Sequence, residues 1–126
     1  MVILFVCVGN SCRSQMAEGL LRALAGGRHV ALSAGTRPAS AVSPEAVAVM
    51  AEHGIDISAQ RPKSLADVPG GIDVAVTLCD DRCPTLAAIR REHWPTPDPY
   101  GGPVDGFRAV REQTEARVRD LLERLG

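Results

Sequence analysis

Met1-Val2-Ile3-Leu4-Phe5-Val6-Cys7-Val8-Gly9-Asn10-Ser11-Cys12-Arg13-Ser14 contains three structural signals in succession. The first six residues are all apolar and rich in Val and Ile, the pattern of a central strand covered on both faces. Gly9-Asn10-Ser11 breaks that strand, and Cys7 stands at its carboxyl end. From Ser14 the apolar residues Met16, Ala17, Leu20, Leu21 and Leu24 recur at helical spacing until Gly26-Gly27. Strand, tight loop, helix is thus the order, and open α/β sheets bind ligands at this end of their strands.

Outward from this unit the alternation continues. Residues 29–34 predict a second strand. Ser43-Pro44-Glu45 reads as an N-cap with Pro at the first helical position, opening a helix that ends near His53-Gly54. Ile72 to Leu78 is a third apolar, β-branched run, and Pro84 to Arg91 has helical character. Pro95, Pro97, Pro99 and Gly101-Gly102 make a rigid loop. From about Val104 to Leu125 the residues Phe107, Val110, Val118, Leu121, Leu122 and Leu125 form one apolar side of an amphipathic helix. The expected fold is a single α/β domain over residues 1–126: a four-stranded, mostly parallel sheet with right-handed crossovers and helices on both faces.

The whole-chain properties narrow the function. At 126 residues, 45% hydrophobic and 23% charged, the chain has the profile of a folded domain with a sizeable core. A formal net charge of −1 and 3% aromatic content leave little for a nucleic-acid surface, so no nucleic-acid partner is expected. The apolar opening is too short to span a bilayer and lacks a basic flank, so a cytosolic protein with no membrane partner is expected. In a reducing compartment Cys7, Cys12, Cys79 and Cys83 point to catalytic, redox or metal-binding roles rather than structural disulfides. Nothing in the sequence demands more than a monomer, and no tightly bound cofactor is expected.

The loop Val8-Gly9-Asn10-Ser11-Cys12-Arg13-Ser14 has the chemistry of an anion cradle. Backbone N–H groups turned inward at a helix amino terminus attract negative charge. Gly9 and Asn10 tolerate the left-handed conformations such a loop needs, and Asn10 can bond across it. Arg13 offers a two-pronged grip on a tetrahedral oxyanion. The same surroundings favour a thiolate at Cys7, to which Ser14 can donate a hydrogen bond.

Cys7 to Gly19, Cys-Val-Gly-Asn-Ser-Cys-Arg-Ser-Gln-Met-Ala-Glu-Gly, resembles the signature of thiol-dependent arsenate reductases on the low-molecular-weight protein tyrosine phosphatase fold. The resemblance extends to Ser33-Ala34-Gly35-Thr36, Gly54-Ile55-Asp56-Ile57-Ser58, Val76-Thr77-Leu78-Cys79-Asp80, and Glu92-His93-Trp94 with Pro97-Asp98-Pro99. It implies reduction of arsenate to arsenite: Cys7 attacks the bound oxyanion, Cys79 and Cys83 are the second and third redox cysteines, and Asp98 is the general acid. The implied order is Cys7, then Cys7–Cys79, then Cys79–Cys83, regenerated by thioredoxin. The resemblance also implies a potassium ion beneath the loop in some reductases, at Asn10, Glu18 and Ser33, and gives Cys12 no required catalytic role.

Two departures qualify the resemblance. Only three residues separate Cys79 from Cys83, where the family usually has a longer loop. An i,i+4 pair on a helix lies about 6 Å apart at Cα, within disulfide range. Tyr100-Gly101-Gly102 and Asp105-Gly106-Phe107 resemble the phosphatases instead, which leaves aryl phosphate hydrolysis by Cys7, Arg13 and Asp98 as the alternative.

Overall fold

A computed structural model of the chain describes residues 1–79 and 86–126. Strand β1 (Val2–Cys7) is followed by α1 (Arg13–Ala25), β2 (Val30–Gly35), α2 (Pro44–Ala51), β3 (Val74–Thr77), β4 (Arg90–His93) and α3 (Val104–Leu125). The strands form one sheet in the order β2-β1-β3-β4, and every pair is parallel. β1 pairs with β2 on one side and β3 on the other, so the chain reverses its direction of travel across the sheet there. The ends of β1 and β3 therefore open a crevice at the switch point, where ligands of such sheets bind.

Alternation along β1 divides its side chains between two cores. Ile3, Phe5 and Cys7 face the layer of α-helices and pack with Met16, Leu20, Val49, Phe107 and Val118. Leu4 and Val6 face the other way, toward Ala34, Ile72 and Ala75, and are covered by Leu65, Val68 and Leu86. Phe5, fully buried, contributes roughly 1.5–3 kcal/mol by leaving water, and its ring meets Trp94 at a centroid distance of 5.9 Å. On this second face the described residues supply a single 3-10 turn, Leu65–Asp67, and irregular chain.

The amphipathic helices follow their periodicity. α1 stops where Gly26 adopts a left-handed conformation at φ 58, which glycine reaches without a Cβ clash. α3 spans the expected residues and buries Phe107, Val110, Val118 and Leu121. Ser43 precedes α2 as expected, but its hydroxyl donates to Glu45 Oε2 at 2.7 Å instead of capping the helix. The fourth strand lies where helical character was expected: Arg90–His93 pairs with β3, and residues 86–89 are not helical. Its burial pattern is exposed except for one half-buried position, the charged dressing of a sheet edge that resists pairing with another chain.

Candidate active site

The loop between β1 and α1 is held from outside by all six of its carbonyls. Cys7 O accepts from Thr36 N, Val8 O from Arg37 N, Gly9 O from Ala39 N, Ser11 O from Ser43 N and Cys12 O from Met16 N, at 2.8–3.2 Å. Asn10 O accepts from Gln15 Nε2 at 3.0 Å. No peptide bond among the described residues is cis, so each N–H points opposite to its outward carbonyl. The N–H groups are thereby turned into the ring, and that of Asn10 lies 3.2 Å from Cys7 Sγ. The amino terminus of α1 has no side-chain cap, which leaves its positive end facing the same space.

Asn10 is the one non-glycine residue with positive φ, at 50°, among the described residues. Its side chain has a fixed orientation. The Lys63 backbone N–H can only donate, and it lies 2.8 Å from Asn10 Oδ1, so Nδ2 is turned to Ser14 Oγ at 2.7 Å. Ser14 Oγ accepts that bond, and its own proton is then directed to Cys7 Sγ at 2.8 Å. Two donors thus converge on one sulfur. Cys12 is a free thiol as well, but burial pushes it toward the protonated form, with Ser11 and Ser43 partly offsetting that. The ring therefore holds one sulfur met by two donors and one pushed toward its neutral thiol.

The cleft above the ring is lined by Cys7, Gly9, Ser11, Arg13, Asp98 and Tyr100, among others, and holds about 310 Å³. Arg13 is 3% exposed. Its Nη1 donates to Thr96 O at 3.0 Å and to Leu78 O at 3.4 Å, and Nη2 stands 3.8 Å from Asp98 Oδ2. Asp98 also accepts from Tyr100 N. Cys79, next to Leu78, is almost wholly buried and is disulfide-bonded. Cys83 lies outside the described residues. The structure therefore brings Cys7, Arg13 and Asp98 to one cleft and sets Cys79 one residue beyond an Arg13 contact.

Glu18 and Ser33 also meet, beneath the loop, where Ser33 Oγ donates to Glu18 Oε1. The side chain of Lys63 occupies the same place. Its Nζ is 3.6 Å from Glu18 Oε1 and 3.5 Å from Ser33 Oγ, and it donates to Arg61 O at 2.8 Å. Arg22 pairs with Glu18 too. A monovalent ion here would meet two positive charges already paired with Glu18, so these residues do not fit a potassium ion as they stand. Asn10 Oδ1, the third expected ligand atom, is already taken by Lys63 N and Gln15 Nε2.

Three supporting residues were not singled out from the sequence. A Cβ on Gly35 would lie 2.6 Å from Val8 O and 3.0 Å from Asn10 N, so only glycine lets β2 approach the ring. Gln15 bolts Asn10 to Arg61 O. Lys63 does the same from the far side through its N–H. For Gln15 the available signal was a polar stripe, Ser14, Gln15 and Glu18, at helical spacing on α1, whose other face is apolar.

Comparison with known proteins agrees with this geometry. The chain matches the family described as low molecular weight phosphotyrosine protein phosphatase over residues 2–126. It is 39% identical over 128 residues to Arsenate reductase 2 of Staphylococcus haemolyticus, covering 97% of this chain and 96% of the relative. A solved structure of an arsenate reductase in the phosphate binding state superposes with a TM-score of 0.92 at 35% identity, covering 99% of this chain and 98% of that one. The Corynebacterium glutamicum thioredoxin-dependent arsenate reductase gives 0.81 at 34% identity, with 97% of this chain and 60% of that one covered.

Proposed function

The chain belongs to the low molecular weight phosphotyrosine protein phosphatase family, and from that premise we propose that it is an arsenate reductase drawing its electrons from thioredoxin. The substrate class follows from the arsenate reductases it resembles over nearly its whole length, and the donor from the thioredoxin-dependent relative. The observation that carries the reading is the bond from Arg13 Nη1 to Leu78 O, which ties the anion cradle to the segment bearing Cys79. A hydrolase has no need of a second cysteine there.

In this mechanism the ring N–H groups and Arg13 bind arsenate, and Cys7 Sγ attacks arsenic. Asp98 protonates the departing oxygen, leaving a sulfur–arsenic bond. Cys79, once thioredoxin has reduced the disulfide that it carries in this structure, then attacks Cys7 Sγ. The sulfur–arsenic bond breaks with its electron pair going to arsenic, and arsenite leaves as a Cys7–Cys79 disulfide forms. Cys83 attacks Cys79, freeing the Cys7 thiolate, and thioredoxin dithiol reduces the Cys79–Cys83 disulfide. Lys63 supplies the positive charge beside Glu18, so the cycle runs without potassium. The protein works as a monomer in the cytoplasm.

The test is arsenate-dependent NADPH oxidation in the presence of thioredoxin and thioredoxin reductase. Turnover that disappears in Cys79→Ser supports the proposal, and absence of turnover in the wild type removes it. A second reading, hydrolysis of aryl phosphates, is favoured by Tyr100 and Asp98 lining the cleft. It gains ground if Cys79→Ser leaves the main activity intact.

A further inference from the structure

The segment that carries Asp98 reads Trp94-Pro95-Thr96-Pro97-Asp98-Pro99, in which every second residue is proline. Proline has a fixed φ and no N–H, so between Trp94 and Asp98 the N–H of Thr96 is the one backbone donor left. It goes to Leu78 O at 3.2 Å, as Trp94 N goes to Thr77 O at 2.8 Å. The segment is thus laid along the end of β3 and extends past it over Arg13.

Thr96 is 1% exposed and uses each of its polar groups. Its hydroxyl donates to Trp94 O at 2.8 Å and accepts from Arg117 Nη1 of α3 at 3.3 Å. Arg117 Nη1 also lies 3.2 Å from Pro95 O. The carbonyl of Thr96 receives Arg13 Nη1 at 3.0 Å. Leu78 O, which accepts from Thr96 N, accepts from the same Arg13 nitrogen. Arg13, Thr96 and Leu78 therefore close a small ring of hydrogen bonds, and α3 holds its outer corner.

We propose that Thr96, clamped by Arg117, is a positioning residue that aims the Arg13 guanidinium at the bound oxyanion and keeps it registered to the segment bearing Cys79. The argument rests on the oxyanion chemistry proposed above. A planar guanidinium grips a tetrahedral anion in two-pronged fashion only when its plane is fixed. A buried carbonyl at 3.0 Å fixes that plane where solvent would not. Removing the hydroxyl leaves the Thr96 carbonyl in place but takes away its own bond to Arg117, leaving Pro95 O as the segment's remaining tie to that arginine, so Arg13 loses aim while the Cys7 donors, Asn10 N and Ser14 Oγ, are untouched. The signature is weaker anion binding with an unaltered nucleophile.

The experiment measures phosphate affinity by calorimetry, KM and kcat for arsenate, and the pH profile of Cys7 alkylation, in wild type, Thr96→Val, Thr96→Ser and Arg117→Met. Expected is phosphate affinity and arsenate KM weakened about tenfold in Thr96→Val, as for a lost hydrogen bond serving a charged group. The Cys7 alkylation profile stays unchanged and Thr96→Ser restores wild-type affinity. Arg117→Met, which leaves the buried threonine in place, shifts affinity in the same direction by a smaller factor. Phosphate affinity within twofold of wild type in both Thr96→Val and Arg117→Met overturns the proposal. So does a change in the Cys7 profile equal to the loss of affinity, which marks a general collapse of the cleft. If Thr96→Val fails to fold, Arg117→Met alone decides by the same criterion. Because phosphate binding needs no reduction, a wild type that binds phosphate without reducing arsenate defeats the functional reading and leaves this one standing.

Discussion

Across the cleft, the loop after β1 has every carbonyl from Cys7 to Cys12 bonded to a donor outside the ring, whereas the segment after β4 is tied back by the N–H groups of Trp94 and Thr96 and by Arg117. The first is clamped by the chain between β2 and α2, by the first turn of α1 and by the chain around Lys63. The second is stiffened by prolines that can donate nothing. The contrast matches two tasks of the proposed mechanism. Holding a tetrahedral anion rewards donors fixed before the ligand arrives, since they need no reorganisation when it binds. Delivering a proton and a second thiol requires groups at strand ends and in loops, where side chains can approach and leave. Asp98, half-exposed, and Cys79, at the end of β3, both stand on that second side.

The contrast breaks most sharply at the two sulfurs. Cys7→Ser is expected to lower arsenate turnover on the order of a thousandfold or more, because oxygen in place of sulfur is a far weaker nucleophile. Cys79→Ser should abolish multiple turnover as well, yet leave phosphate affinity within about twofold of wild type, since no anion donor is removed. Calorimetry on both variants beside the coupled assay checks this. Phosphate binding lost together with turnover in Cys79→Ser would mean that the two sides are one unit.

Two glycines sharpen the comparison next. Gly35→Ala places a Cβ against the backbone of Val8 and Asn10, so the ring itself must shift. Misplaced donors should weaken phosphate binding by roughly tenfold to a hundredfold. Gly19→Ala meets Ile57 and Met50 side chains instead, an overpacking expected to cost about 1–3 kcal/mol of stability with affinity retained. Denaturant titration and calorimetry on the pair separate the two effects. Equal losses of affinity would contradict the special placement of Gly35.

Beneath the ring, Lys63→Met should leave Glu18 with Arg22 and Ser33 as its partners. Wild-type thermal stability is expected to be the same in potassium and sodium buffers. In Lys63→Met stability should fall, and added potassium should recover part of it, because the variant opens the space beside Glu18. Wild-type dependence on potassium would show that the lysine does not replace the ion.

The sequence made the two sides unequally legible. β1 and its loop could be read because a run of apolar residues ending in Cys-x5-Arg with Gly and Asn has few other uses, and α3 because its apolar residues keep helical spacing on either side of Thr114. β4 could not be read: Arg90-Arg91-Glu92-His93 has no apolar alternation, and it is a strand because β3 offers it hydrogen bonds. Its charges find partners outside the strand, as in Glu92 with Arg124. Gly35 and Lys63 escaped notice because each touches the ring from a remote part of the chain, which local pattern does not report. The same holds for potassium: the ligand types are present in the sequence, but the side chain that fills their space is visible only in three dimensions.

The smallest expected effect lies on the helical layer, away from the cleft. Glu52, at the end of α2, receives Arg108 and the buried Arg111 of α3. Arg108 first and Arg111 second pull its pKa from 4.5 down to about 2. A carboxylate depressed on folding contributes stability that is fully present above its unfolded value and is lost as pH falls through the folded one. Glu52→Gln should therefore lower Tm by a few degrees at neutral pH, the modest scale of partly exposed pairs. The gap between variant and wild type should close as pH falls from about 4.5 toward about 2. Arsenate kcat and KM should not change, because this clamp joins α2 to α3 and touches neither the ring nor the segment after β4. A gap that persists unchanged at low pH would assign the lost stability to packing around Arg111 rather than to charge.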